Sequence, residues 1–207
     1  MNISVYNFQK KTELLGPFVR SVLWVQGCFR NCEGCVAGNS HDINGGMLLS
    51  TSVLASMYIN ETETEGITIS GGEPFLQAEA IAEMILLIRE KRPDYGTIIY
   101  TGNTYEELLS SKERSVRDLL SVTDLLIDGE YKKELSNERY AIGSSNQRLL
   151  RLTDRYPDEI INGYYTTGNN NRITINIDHN RLFMTGVPSK ESLVAWKNIK
   201  NIGKRDD

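Results

Sequence analysis

The chain has 207 residues with 40% apolar and 24% charged positions, and a formal net charge of −4 with both signs interspersed. That length suits one domain with a substantial core, and the mild acidity implies neither a nucleic-acid partner nor a strong steering field. No stretch approaches the ~18 apolar residues of a membrane span, and the N-terminus lacks the basic start, apolar run and small-residue cleavage site of a secretory leader.

In chain order, Val5-Tyr6-Asn7-Phe8 reads as a short edge strand, and Gly16-Pro17 as a turn. Val19 to Gln26 is apolar and β-branched, the pattern of a strand buried on both faces. Immediately after it, from Gly27, comes a loop carrying Cys28, Cys32 and Cys35, which are the only three cysteines. An odd count in one tight cluster argues against a disulfide framework and for a reducing, cytoplasmic setting.

Thiolates at this spacing suit an iron–sulfur cluster, zinc or Cu(I). A structural zinc site closes on four ligands, so zinc needs His41 or His179 to complete the set. A cubane [4Fe-4S] cluster held by three cysteines leaves one iron open to a small molecule. Buried core thiols are the third reading, set against the glycines and charges that interleave these cysteines. The two histidines and the lysines Lys197, Lys200 and Lys204 otherwise read as surface features.

Ser50 or Thr51 is expected to cap a helix to about Asn60, with Val53, Leu54, Met57 and Tyr58 at helical spacing. Gly66 to Ser70 reads as a strand ending in Gly71-Gly72-Glu73-Pro74, where paired glycines admit close backbone approach. Phe75 to Arg92 reads as a long helix with Ile81, Met84, Ile85 and Ile88 on one face, stopped by Pro93. A strand over Gly96–Tyr100 ends in Thr101-Gly102-Asn103. Thr104 and Glu107 form a capping box for Tyr105–Ser110, and a further helix covers about Arg114–Ser121. Leu125-Leu126-Ile127 is a buried strand ending in Asp128-Gly129.

Four apolar strands separated by helical sequence imply a parallel sheet with right-handed crossovers, and all four polar strand ends then fall on one rim. Gly143 to Arg148 is a polar loop leading into Leu149–Leu152, and Gly168 to Asn171 a turn. Arg172–Asp178 and Arg181–Val187 alternate with period two about His179-Asn180, a hairpin signature. A short amphipathic helix follows Pro188.

Cys28, Cys32 and Cys35 with Gly71-Gly72-Glu73-Pro74 downstream resemble the radical SAM superfamily. Trp24-Val25-Gln26-Gly27-Cys28, Ile69 to Phe75, Tyr100-Thr101-Gly102, Asp128-Gly129 and Gly143 to Gln147 look like its short, single-cluster branch. That branch includes the activating protein of anaerobic ribonucleotide reductase and other glycyl-radical activases. The resemblance implies an α/β fold, a partial (β/α) barrel of parallel strands with a C-terminal hairpin and short helix. One domain would span residues 1–207, with its core over about 16–190.

It further implies a [4Fe-4S] cluster on Cys28, Cys32 and Cys35, with S-adenosylmethionine on the open iron through its amino and carboxylate groups. Gly71, Gly72 and Glu73 would hold the methionine amino group, backbone at Gly34 and Cys35 would face the adenine, and Asp128 is a further contact. An electron from a flavodoxin- or ferredoxin-type donor would cleave the sulfonium carbon–sulfur bond to a 5′-deoxyadenosyl radical. That radical would abstract hydrogen from a glycyl-radical enzyme, or alternatively from a peptide or small molecule. A non-catalytic zinc module is the reading from another class. The Asp-Gly-Pro-Gly common in glycyl-radical activases is replaced by Leu15-Gly16-Pro17-Phe18, with Arg20 following.

Overall fold

The computed structural model describes residues 1–136, 142–166, 172–178 and 181–202. Its elements run β1 (Asn2–Thr12), β2 (Arg20–Val25), β3 (Met47–Ser50), α1 (Thr51–Ile59), β4 (Gly66–Gly71), α2 (Ala78–Lys91), β5 (Gly96–Tyr100), α3 (Tyr105–Ser110) and α4 (Arg114–Ser121). They continue with β6 (Leu125–Asp128), β7 (Arg148–Arg151), α5 (Asp158–Tyr165), β8 (Thr174–Asp178), β9 (Arg181–Thr185) and α6 (Lys190–Ile202). Seven strands make one sheet in the order β3-β1-β2-β4-β5-β6-β7, and β8 with β9 forms a separate hairpin.

The sheet's centre is the parallel set expected from strand–helix alternation: β2, β4, β5 and β6 pair in register. Both flanks are antiparallel. The Val5–Phe8 segment is part of an eleven-residue strand, and it is not at the edge, since β1 pairs with β2 on one side and β3 on the other. The edge on that side is β3, a four-residue strand whose Met47 and Leu48 are exposed, too short and too open to show a period-two pattern.

Each central strand is buried on both faces. Leu23, Val25, Ile67, Ile69, Ile99 and Leu126 pack against Leu54 and Tyr58 of α1, the Ile81–Ile88 stripe of α2, and Leu119 of α4. Ile98, Leu125 and Ile127 face the other way against Tyr156 and Tyr165, while Val22 and Trp24 meet Leu15, Tyr6 and Phe183. Each fully buried Ile, Leu or Met in this core contributes about 1.5–3 kcal/mol by leaving water. The helices begin where their caps predict: Ser50 Oγ accepts from Val53 N, and Thr104 and Glu107 complete a capping box.

The long helix expected from Phe75 begins instead at Ala78. Pro74 to Gln77 first make a 3₁₀ turn, because the Glu73 carboxylate caps Phe75 N and draws the first turn back to the rim. α5 went unread in the sequence, since its interior Asn162-Gly163 pair disfavours helix. Among the described residues no helix is long and apolar enough to cross a membrane. Gly168 to Asn171 and His179-Asn180 lie outside the described residues.

The other end of β2 carries an unusual pair. Phe18, standing where the activase pattern has glycine, adopts φ +63° and is half exposed, a left-handed conformation that costs a bulky residue about 1–2 kcal/mol. Arg20 is completely buried. Its guanidinium donates to Thr68 Oγ1 at 3.0 Å, Tyr156 Oη at 2.7 Å, and the Ile67 and Gly96 carbonyls at 2.9 and 3.1 Å. This buried cation is met by neutral acceptors that tie β2, β4, β5 and the segment before α5 together. Arg20→Leu strands those acceptors and is expected to lower unfolding free energy by about 2–4 kcal/mol, read as a drop in the urea midpoint; an unchanged midpoint would show the cage to be dispensable.

Candidate functional site

The parallel strands β2, β4, β5 and β6 deliver their carboxyl ends to one rim, and the loops there line one cavity. Cys28, Cys32 and Cys35 come from the loop after β2, and Gly71, Gly72 and Glu73 from the end of β4. Thr101 and Gly102 follow β5, and Gly129 follows β6. The cavity opens to solvent at its mouth.

The loop after β2 is held by backbone contacts. Gly27 N donates to Ser40 O at 2.7 Å and Cys28 N to His41 O at 3.1 Å. Across the rim, Gly72 N donates to Val25 O and Glu73 N to Gly27 O, both at 2.8 Å. These contacts need glycine: Gly71 has φ +99°, and a Cβ on Gly72 would stand 2.2 Å from the Gly27 carbonyl oxygen.

Glu73 is only 5% exposed. Its carboxylate accepts from Phe75 N at 3.0 Å, Thr101 Oγ1 at 2.8 Å and Gly102 N at 2.9 Å, joining the ends of β4 and β5. Burial raises its pKa, and the three donors pull in the opposite direction.

Arg30, between the first two cysteines, lies across Gly102. A Cβ there would meet Arg30 Cδ at 2.3 Å, and Arg30 Nη2 donates to Asn103 Oδ1 at 2.7 Å. The cysteine loop therefore leans on the loop after β5 as well as on that after β4.

All three cysteines are free and partly exposed. Cys32 Sγ donates to Glu130 Oε1 at 3.5 Å. Its thiol is pushed up to about 11, first by burial, then by the hydrogen bond and charge of Glu130. Burial also raises Cys35. Thiols ligate metal as thiolates, so metal binding at this loop releases protons. Among the described residues, no three His, Cys, Asp or Glu side chains close on a point fit for one metal ion; the thiols line a shared cavity instead. Three thiols spread along one cavity wall, with a glycine-lined rim beside them, fit a polynuclear cluster together with a small ligand.

Gly34 and Asp128 are not among the residues lining the cavity. Gly34 sits beside the alkyl chain of Lys133. The Asp128 carboxylate is buried and engaged by Arg148 Nε at 3.0 Å and Tyr105 N at 2.8 Å, so it clamps β6 to β7 and α3 while its neighbour Gly129 reaches the cavity. His41, expected on the surface, lines the cavity; His179 lies outside the described residues. The sequence reading also missed the apolar part of the lining, made by Leu182, Phe183, Val187 and Trp196. A hairpin pattern tells that strands pair and not where the pair docks.

A family described as a 4Fe-4S single cluster domain matches residues 14–150. The chain is similar to the anaerobic ribonucleoside-triphosphate reductase-activating protein of Enterobacteria phage T4, at 29% identity over 143 residues, covering 67% of this chain and 88% of that protein. It is 30% identical to the protein of the same name from Escherichia coli K12 over 145 residues, or 66% of this chain and 91% of that one. The pyruvate formate-lyase-activating enzyme of Clostridium pasteurianum is 28% identical over 116 residues, 53% of this chain and 49% of that enzyme.

Gly72→Ala is expected to push the Gly27–Cys28 step outward without unfolding the sheet. Iron bound per chain after anaerobic reconstitution should fall at least several-fold, while the thermal midpoint moves by only a few degrees. Full iron loading by the variant would break the link between this glycine and the cysteine loop.

Proposed function

The chain belongs to the 4Fe-4S single cluster domain family, matched over residues 14–150, and on that premise we propose that it activates a glycyl-radical enzyme, an anaerobic ribonucleotide reductase being the first candidate. It is an activase-like radical SAM oxidoreductase with a [4Fe-4S] cluster and S-adenosylmethionine as cofactors. The observation that carries the reading is the meeting of Cys28, Cys32 and Cys35 with Gly71, Gly72 and Glu73 on one cavity. The names of the phage and Escherichia coli relatives support the choice of partner.

Cys28, Cys32 and Cys35 would hold the cluster, and the rim at Gly71, Gly72 and Glu73 would take the amino group of S-adenosylmethionine. The chemistry these groups supply when bound is one-electron cleavage of the sulfonium carbon–sulfur bond, giving methionine and a 5′-deoxyadenosyl radical that takes a hydrogen atom from the target. The protein's part is to bind, orient and keep water away. The Glu73 carboxylate, held by its three donors, would offer an acceptor to the cationic ammonium of the cofactor. Arg30 steadies the cysteine loop against Gly102 and Asn103. Trp24 and Phe183 form an apolar side to the same space.

We read residues 1–207 as one radical SAM domain, its seven-stranded sheet as the partial (β/α) barrel of that fold, and its electron source as a flavodoxin- or ferredoxin-type donor. Asp128 acts through placement of Gly129 and α3 in this reading.

Reconstituted protein given dithionite and S-adenosylmethionine should form 5′-deoxyadenosine, and addition of an anaerobic ribonucleotide reductase should produce a glycyl radical seen by electron paramagnetic resonance. Cys32→Ala should abolish both. Cofactor cleavage with no radical on the reductase would remove the activase role, and an iron-loaded protein that neither binds nor cleaves the cofactor would remove the chemistry.

A further inference from the structure

Gly143 to Gln147 stands out in the sequence as a motif, and the cofactor chemistry leaves it without a role. Gly143 and Gln147 line the cavity, and Ser144, Ser145 and Asn146 are not among its lining residues. Those three hold the segment after β6 instead. Ser144 is fully buried, and its Oγ accepts from Lys132 N at 3.2 Å. Ser145 N donates to Leu135 O and Asn146 Nδ2 to Glu130 O, both at 2.8 Å. Gln147 Nε2 donates to Gly129 O at 2.8 Å, while its Oε1 accepts from Gly143 N and Ser144 N and so holds the loop closed on itself. Four successive residues thus grip the backbone between Gly129 and Leu135.

The gripped segment in turn meets the second half of the cysteine loop. Glu130 Oε1 accepts from Cys32 Sγ at 3.5 Å, Lys133 Nζ stands 2.5 Å from Glu33 Oε1, and a Cβ on Gly34 would touch the Lys133 alkyl chain at 3.3 Å. The contacts from the ends of β4 and β5 fall on the first half, at Gly27 and Arg30. Lys133 and Glu33 are both exposed, and such a pair holds little by itself. Its direction comes from the backbone beneath it, which buried Ser144 and the Asn146 amide keep in place. We propose that Ser144 and Asn146 are positioning residues for the cluster: they hold the Glu130–Lys133 backbone, and through it they set Cys32 relative to Cys28. This rests on the reading of the three cysteines as ligands.

The test compares the thiols with one another in the reduced, metal-free full chain. Brief anaerobic pulses of iodoacetamide are followed by trypsin, which cuts after Arg30 and leaves Cys28 on one peptide and Cys32 with Cys35 on the next; fragmentation in the mass spectrometer separates that pair. Ser144→Ala and Asn146→Ala should each raise alkylation of Cys32 relative to Cys28 by about threefold to tenfold, the share of one lost hydrogen bond. A general loosening of the fold would raise both thiols together and leave their ratio unchanged. Asn146→Ala empties no fully buried site, so the test stands even where Ser144→Ala fails to fold. After reconstitution, the same variants should release iron to a chelator faster than wild type by a similar factor. A wild-type Cys32-to-Cys28 ratio in folded Asn146→Ala, or iron release at the wild-type rate, would overturn the assignment alone. Wild type that takes up no iron would overturn it together with the ligand reading beneath it.

Discussion

A carboxylate withdrawn from water must find donors or give up its charge, and Glu73 finds three, none on its own strand. Phe75 N belongs to the turn that follows, and Thr101 Oγ1 and Gly102 N to the end of the neighbouring strand. Satisfying this one group fixes the distance between two strand ends. The backbone of the same residue donates to Gly27 O, which fixes a third. The cysteines follow directly from that point, so their placement depends on a group that carries no sulfur.

The central architecture was readable because parallel strands buried on both faces leave unbroken β-branched runs, and because their helices carry explicit caps at Ser50 and Thr104. The edges were not. β1 has its length and its interior position set by pairing with both β2 and β3, which are contacts between distant stretches, and β3 is too short and exposed to mark itself. The start of α2 was misplaced because Glu73, a site residue, spends its side chain on capping a 3₁₀ turn.

Motif and spacing mark the three cysteines and the Gly-Gly-Glu turn in the sequence, since each is local, and the fold brings both to one cavity. The distinction between Asp128 and Gly129 was not visible, because it depends on Arg148 of β7 arriving to claim the carboxylate. Arg30 gave no signal beyond being a charge in a loop, and its contact with Gly102 comes only from the sheet bringing the ends of β2 and β5 to one rim. The Phe183 wall comes from the most distant part of the described chain. Its alternation identifies a hairpin, and the contacts of Phe183 with Trp24 and of Thr185 with Gln9 say which way that hairpin faces.

Three anchors of the cysteine loop are backbone contacts, Gly27 to Ser40, Cys28 to His41 and Glu73 to Gly27, and a fourth is the Arg30 side chain on Asn103. None of them runs through a thiol. A cluster destroyed by oxygen therefore takes its irons away without taking the scaffold that positioned them, provided the sulfurs return to the reduced state. That separates loss of the metal from loss of the protein's shape, and makes repair a matter of refilling rather than of new synthesis.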